Sequence, residues 1–216
     1  MGTRATVDPV LIDRPADSAR PCLVWRWDEP VEAISSATLG GGRRRIRWVI
    51  DLEVDHTYDR LDPGAHLAEV AGALGLGGLG GLGVGLMTAA PVARWTAGTD
   101  GGAVVHGTVG VTRPTWAADD DGVHGSWRPD TINLVVQLPV RLSEAAMVNA
   151  VMTITEAKAQ ALAERGVPGT GTASDAVCVV CPADGAEEPF AGPRSPWGAR
   201  LARAAHHCVL AGLGAP

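Results

Sequence analysis

Apolar residues along the chain fall mostly in short, β-branched runs bounded by Gly, Pro or Asp, and three stretches repeat at helical spacing. CLVWRW (22–27) and VEAISSAT (31–38) read as a hairpin across Asp28-Glu29-Pro30, and IRWVIDLEV (46–54) as the next strand. PGAHLAEVAGALGL (63–76) places Leu67, Val70, Ala71 and Leu74 on one helical face, with Pro63 suited to a first helical position. VGLMTAA (84–90) is a strand, VARWTAGT (92–99) and AVVHGTVGVT (103–112) pair over Asp100-Gly101-Gly102, and TINLVVQLPV (131–140) is a central strand. The longest helix is 143–165, with Ser143 as N-cap and Gly166 past its end. A buried strand (176–181) and a C-terminal helix (197–212) complete the pattern. Strands outnumber helices and several neighbours read as antiparallel. The expected fold is therefore α+β (mixed α/β): a single domain over 1–216 with a mostly antiparallel or mixed sheet against a few helices. Residues 1–20 are expected to be a loosely ordered N-terminal extension.

With 216 residues, 46% of them hydrophobic, the chain can bury a core without disulfides or a structural metal. A net charge of −6 argues against a nucleic-acid partner. No run has the length of a signal peptide or membrane span, so the expectation is a soluble cytoplasmic protein with no membrane partner. A homo-oligomer is compatible with the sequence. Cys178 and Cys181 form C-x-x-C, but on a strand they point to opposite faces, which favours structural thiols.

Several motifs read as structure rather than chemistry. GLGGLG (75–80) matches the dinucleotide fingerprint, yet a helix precedes it and a strand follows, the reverse of what phosphate binding needs. Arg43-Arg44-Arg45 with Arg47 reads as a solvated turn. In the longest loop, 113–130, Trp116 and Trp127 flank an acidic tip, Asp119-Asp120-Asp121 with His124, that lacks calcium-loop spacing. The histidines have no metal-site spacing either, so no metal is expected.

Other residues carry candidate chemistry. Asp51, Glu53 and Asp55 would share one strand face, to be satisfied by solvent, a cation or an arginine. Seventeen Arg accompany one Lys, Lys158, a position that either needs an amine rather than a guanidinium or has kept its lysine by chance. On the helix 143–165, Asn149, Thr153, Glu156 and Gln160 form a polar stripe. Lys158 points the other way, among Val151, Ile154 and Leu162, either snorkelling or partly desolvated as a base or paired ammonium. The turn GTGTASDA (169–176) offers Thr170, Thr172, Ser174 and Asp175. Ser35 and Ser36 stand before the permissive Gly40–Gly42.

Together SSATLGGG (35–42), VIDLEV (49–54), VGLMTAA (84–90), TVGV (108–111), DTINLVV (130–136), LSEAAMVNAVMTITEAKAQAL (142–162), GTGTASDAVCVVC (169–181) and AGPRSPWGARLARA (191–204) resemble the adenosylcobinamide amidohydrolase family over about residues 31–210. Asp51 departs from the family's usual Asn, Ser174 from its common Thr, and 113–130 carries an acidic insertion. The resemblance implies hydrolysis of the aminopropanol amide of adenosylcobinamide, giving adenosylcobyric acid, with the corrinoid as substrate and no cofactor. It implies Ser36, Lys158, Asp175 and Glu156 as catalytic candidates. Ser36 would be nucleophile with Lys158 as base and the Gly40–Gly42 amides as oxyanion donors, or water would be activated by Asp175 or Glu156 while Lys158 holds charge. Ser35, Gly41, Gly42, Asp51, Thr88, Asn133, Asn149, Thr172 and Ser174 would bind substrate. The alternative is a corrinoid carrier or sensor without chemistry.

Overall fold

The computed structural model describes residues 6–13, 20–77, 83–120 and 130–214. In chain order the elements are β1 (Val10–Ile12), β2 (Cys22–Ser35), β3 (Gly42–Glu53), α1 (Pro63–Ala73), β4 (Gly83–Thr88), β5 (Thr96–Asp100), β6 (Ala103–Val109), β7 (Ile132–Gln137), β8 (Arg141–Leu142), α2 (Glu144–Glu164), β9 (Ala176–Cys181), β10 (Glu187–Glu188) and α3 (Pro196–Leu213). The main sheet runs β4-β3-β2-β9-β7-β6-β5, with β1 paired to β2. Its β3/β4 and β7/β9 pairs are parallel and the others antiparallel, which makes the architecture mixed α+β. Of the N-terminal extension, Val10–Ile12 form a strand on Val24–Cys22, and Gln137 holds the backbone of Val7 at both N–H and C=O.

Residues 22–38 do not form a hairpin. β2 is one long strand whose register against β3 slips between Arg26 and Val31, so Asp28-Glu29-Pro30 is a bulge rather than a turn. A bulge leaves residues outside the ladder, where the missing N–H of Pro30 costs nothing. Arg43–Arg45 likewise lie in β3 rather than a turn. Arg43 and Arg45 pair with Glu32 on the neighbouring strand, and Arg43 also with Glu144. Residues 92–94 are a 3-10 turn before β5.

The sheet curls. Its concave interior is filled by Leu23, Trp25, Val49, Val84 and Leu86 from one half and Val135, Cys178 and Val180 from the other. Polar bridges close both ends of this interior. At one, Thr108 and Asn133 reach across to Asp51; at the other, Trp25 Nε1 donates to His106 Nδ1 at 3.2 Å. α2 and α3 cover the opposite face of β6, β7 and β9 through Ile154, Leu162, Leu201 and Cys208. α3 approaches β5 so closely that a Cβ on Gly98 would overlap the Ala204 carbonyl. α1 packs Leu67, Val70 and Ala71 on β3 and β4. Ser143 and Ser195 cap α2 and α3 by accepting from Ala146 N and Gly198 N, each at 3.0 Å. Cys178 and Cys181 sit in different core clusters, as alternation on β9 requires.

Candidate active site

The ends of β2, β4, β7 and β9 meet at a cleft of about 380 Å³, lined by Ser36, Thr38, Tyr58, Arg60, Thr88, Asp130, Thr131, Ser174 and Asp175 among others. Ser36 follows the last residue of β2. Its backbone N–H continues the ladder to Val177 O, and its exposed Oγ accepts from Val177 N at 3.1 Å. The Ser36 hydroxyl proton is therefore left for a ligand. Ser35 points inward instead: its buried Oγ donates to Val177 O at 2.9 Å and accepts from Ala37 N. Thr88 Oγ1 accepts from Ala90 N at 3.0 Å, which likewise leaves its proton for the cleft.

Lys158 is 7% exposed and forms an ion pair with Asp175. The carboxylate is filled on both oxygens. Oδ1 accepts from Ile132 N at 2.9 Å and contacts Thr172 Oγ1, and Oδ2 takes Lys158 Nζ and Thr172 N. Such saturation fixes the carboxylate and, through it, the amine. The pair exists because position 171 is glycine: a Cβ there would overlap both Lys158 Nζ and Asp175 Oδ2. Asp130 ties this turn to the next loop. Its carbonyl accepts from Ser174 Oγ at 2.9 Å, while its Oδ2 accepts from Arg113 N at 2.7 Å.

Asp51 lies beneath the cleft floor, 2% exposed, accepting from Thr108 Oγ1 and Asn133 Nδ2 at 2.8 Å each. Burial pushes its carboxyl up to about 6, with the two hydrogen bonds pulling the other way. The three carboxylates anticipated on one face separate. Glu53 ends β3, accepting from Val92 N and pairing with Arg20, and Asp55 lies exposed beyond the strand. Asn133 also donates to Met87 O, so its amide is spent inside the protein.

The structure thus gathers Ser36, Thr88, Ser174 and Asp175 at the cleft, with Lys158 and Thr172 bonded to Asp175. It does not bring Glu156 or Asn149 there. Glu156 is exposed in a groove between α2 and α3 with Thr153, Gln160 and His206, on the face of α2 opposite Lys158. Gly41 and Gly42 also stay out of the lining; the Gly40–Gly42 turn folds against Gly83, with Gly41 O accepting from Arg44. Tyr58 and Arg60 lie in no motif that marks them in the sequence, and Asp130 and Thr131 open DTINLVV (130–136) without a role assigned to them there. Asp130-Thr131 immediately before a buried strand is the available signal. Burial pushes Cys178 to about 12 and Cys181 to about 11, which keeps both as inert thiols. Among the described residues, no group of three or more His, Cys, Asp or Glu side chains could hold a metal ion. Gly78, Leu79 and Gly80, Asp121, His124 and Trp127 lie outside the described residues.

A buried amine held by a saturated carboxylate, beside hydroxyls with protons to spare, equips the cleft for hydrolytic acyl transfer. The model of the adenosylcobinamide amidohydrolase family matches residues 7–215. Two curated proteins named adenosylcobinamide amidohydrolase are similar. One, from Methanosarcina mazei, is 30% identical over 191 residues, covering 84% of this chain and 90% of its own. The other, from Halobacterium salinarum, is 41% identical over 86 residues, covering 39% of this chain and 36% of its own. The chain belongs to the adenosylcobinamide amidohydrolase family.

Proposed function

We propose that this protein hydrolyses the amide joining aminopropanol to the corrin propionate of adenosylcobinamide, releasing adenosylcobyric acid. The observation that carries the assignment of residues is the Lys158–Asp175 pair bordering a cleft that also holds Ser36. Ser36 Oγ attacks the amide carbon as its proton passes to Lys158 Nζ, which reacts as the neutral amine and becomes the ammonium that Asp175 holds. That ammonium then protonates the departing nitrogen, the C–N bond breaks, and water resolves the acyl-serine by giving a proton to the freed amine, which returns it to Ser36 Oγ. Thr88 Oγ–H donates to the developing oxyanion. Asp175 is the positioning carboxylate rather than the base, since activating a water would break one of its present bonds. The scheme uses no metal and no cofactor.

We place the reaction in the cytoplasm, where the buried thiols of Cys178, Cys181 and Cys208 stay reduced. Among the described residues no helix is long and apolar enough to cross a membrane.

The test is incubation of EDTA-treated protein with adenosylcobinamide and mass spectrometry of the corrinoid. Adenosylcobyric acid is expected from the wild type and none from Lys158→Arg, whose larger, planar group cannot supply and retake a proton. Full turnover by that variant would sink the scheme. A corrinoid spectral shift without product, even after divalent metals are restored, would mark a carrier instead.

A further inference from the structure

The cleft is small for its substrate. At about 380 Å³ it lies near the lower end of the roughly 300–1,000 Å³ that enclose drug-sized ligands. A corrinoid is several such ligands in bulk. Only the scissile arm enters, and the macrocycle must rest on the surface around the mouth.

Two of the large apolar side chains that the protein exposes are carried by segments that border that mouth without lining the cleft itself. Leu61, fully exposed, stands between Arg60 and Pro63, both of which line the cleft. Trp116, 54% exposed, follows Thr115, which bridges to Gly171 beside Lys158 and Asp175. Neither is on a loose loop. Arg60 is locked by Asp62 through Nε at 2.9 Å and by Glu69 through Nη1 at 2.9 Å, and Tyr58 Oη meets His66 Nδ1 at 3.1 Å. On the other side Thr115 N donates to Gly171 O at 2.8 Å, Thr170 N to Thr115 O at 2.9 Å, and Ala117 N to Thr170 Oγ1 at 3.1 Å. Braced apolar groups lose little backbone freedom on binding, which is the economy a preformed platform provides.

Resting on the functional reading above, we infer that Leu61 and Trp116 form a platform for the substrate's macrocycle, outside the catalytic cleft. The cleft performs the chemistry on the arm, and the platform recognises the corrin through its apolar, methyl-bearing face.

Adenosylcobyric acid tests this without requiring turnover, because it keeps the macrocycle and the propionate and lacks only the aminopropanol and its scissile amide. Its dissociation constant is measured by visible absorbance titration of the full-length protein. Trp116→Ala and Leu61→Ala should each weaken binding, about tenfold for the tryptophan, as befits a large aromatic anchor. Trp116→Phe should recover most of the loss. Phe190→Ala, at an exposed apolar residue away from the cleft, should leave this constant unchanged. Equal binding by wild type, Trp116→Ala and Leu61→Ala would overturn the platform, as would failure of the wild type to bind adenosylcobyric acid. A wild type that binds the acid but never converts adenosylcobinamide would overturn the enzymatic reading alone.

Discussion

Replacing Asp51 with asparagine tests the electrostatics beneath the cleft. Asp51 is buried, accepts from Thr108 and Asn133, and has its carboxyl raised from 3.8 to about 6 by burial. A raised folded-state value means that the native protein binds this proton more tightly than the unfolded chain. The stabilisation is complete below about pH 3.8 and is lost as pH rises through about 6. The difference of about 2.2 is worth about 3 kcal/mol at roughly 1.4 kcal/mol per pH unit. The substituted amide cannot ionise. Its oxygen can accept from Asn133, and its nitrogen can donate to Thr108 Oγ1. The stability of the wild type relative to Asp51→Asn should therefore fall by about 3 kcal/mol between pH 3 and pH 7 and then level off. For a chain of this size that is about 6–12 °C in relative Tm. Urea unfolding of both proteins across this pH range measures it, with every other titrating group common to the pair. A difference that stays flat with pH would refute the reasoning, because it would mean that the buried carboxylate carries no desolvation cost.

Other outcomes follow from single contacts. Gly171→Ala should abolish most turnover by driving apart Lys158 and Asp175 while leaving the circular dichroism spectrum native; mass-spectrometric product counts and spectra decide it. Ser35→Ala should lower stability by about 1 kcal/mol, because it strips the buried bonds to Val177 O and Ala37 N. Ser36→Ala should instead lose turnover by a factor of a hundred or more, and paired denaturation and activity assays separate the two serines. Gly98→Ala should destabilise by about 2 kcal/mol, visible as a lower urea midpoint, because its methyl forces α3 off β5.

Much of the fold was legible in local patterns. Short β-branched runs marked the strands, and helical spacing marked the helices that Ser143 and Ser195 cap. Pro30 was misleading because a proline between two strand-like runs signals a turn locally, whereas a bulge is defined only by a partner strand distant in sequence. Lys158 stood out by its chemistry in an arginine-rich chain, and Asp175 by the turn that holds it. Their pairing could not be seen, because it depends on the crossing of α2 over the start of β9. The inward turn of Asp51 and Asn133 was hidden for the same reason: sheet curvature places strands β3 and β7 face to face, and no local pattern encodes it.

The position of β9 in the sheet bears on how the protein is made. Val179 lies between Ile34 of β2 and Val136 of β7, so a strand synthesised late is inserted between two strands synthesised much earlier. While the ribosome is still short of residue 176, both of those neighbours present unpaired edges, a state prone to mispairing with other chains. The same late segment brings Asp175 to Lys158. A nascent or truncated chain lacking it would thus hold two half-sheets awaiting a common partner and no working proton relay, so activity arrives only with the strand that joins them.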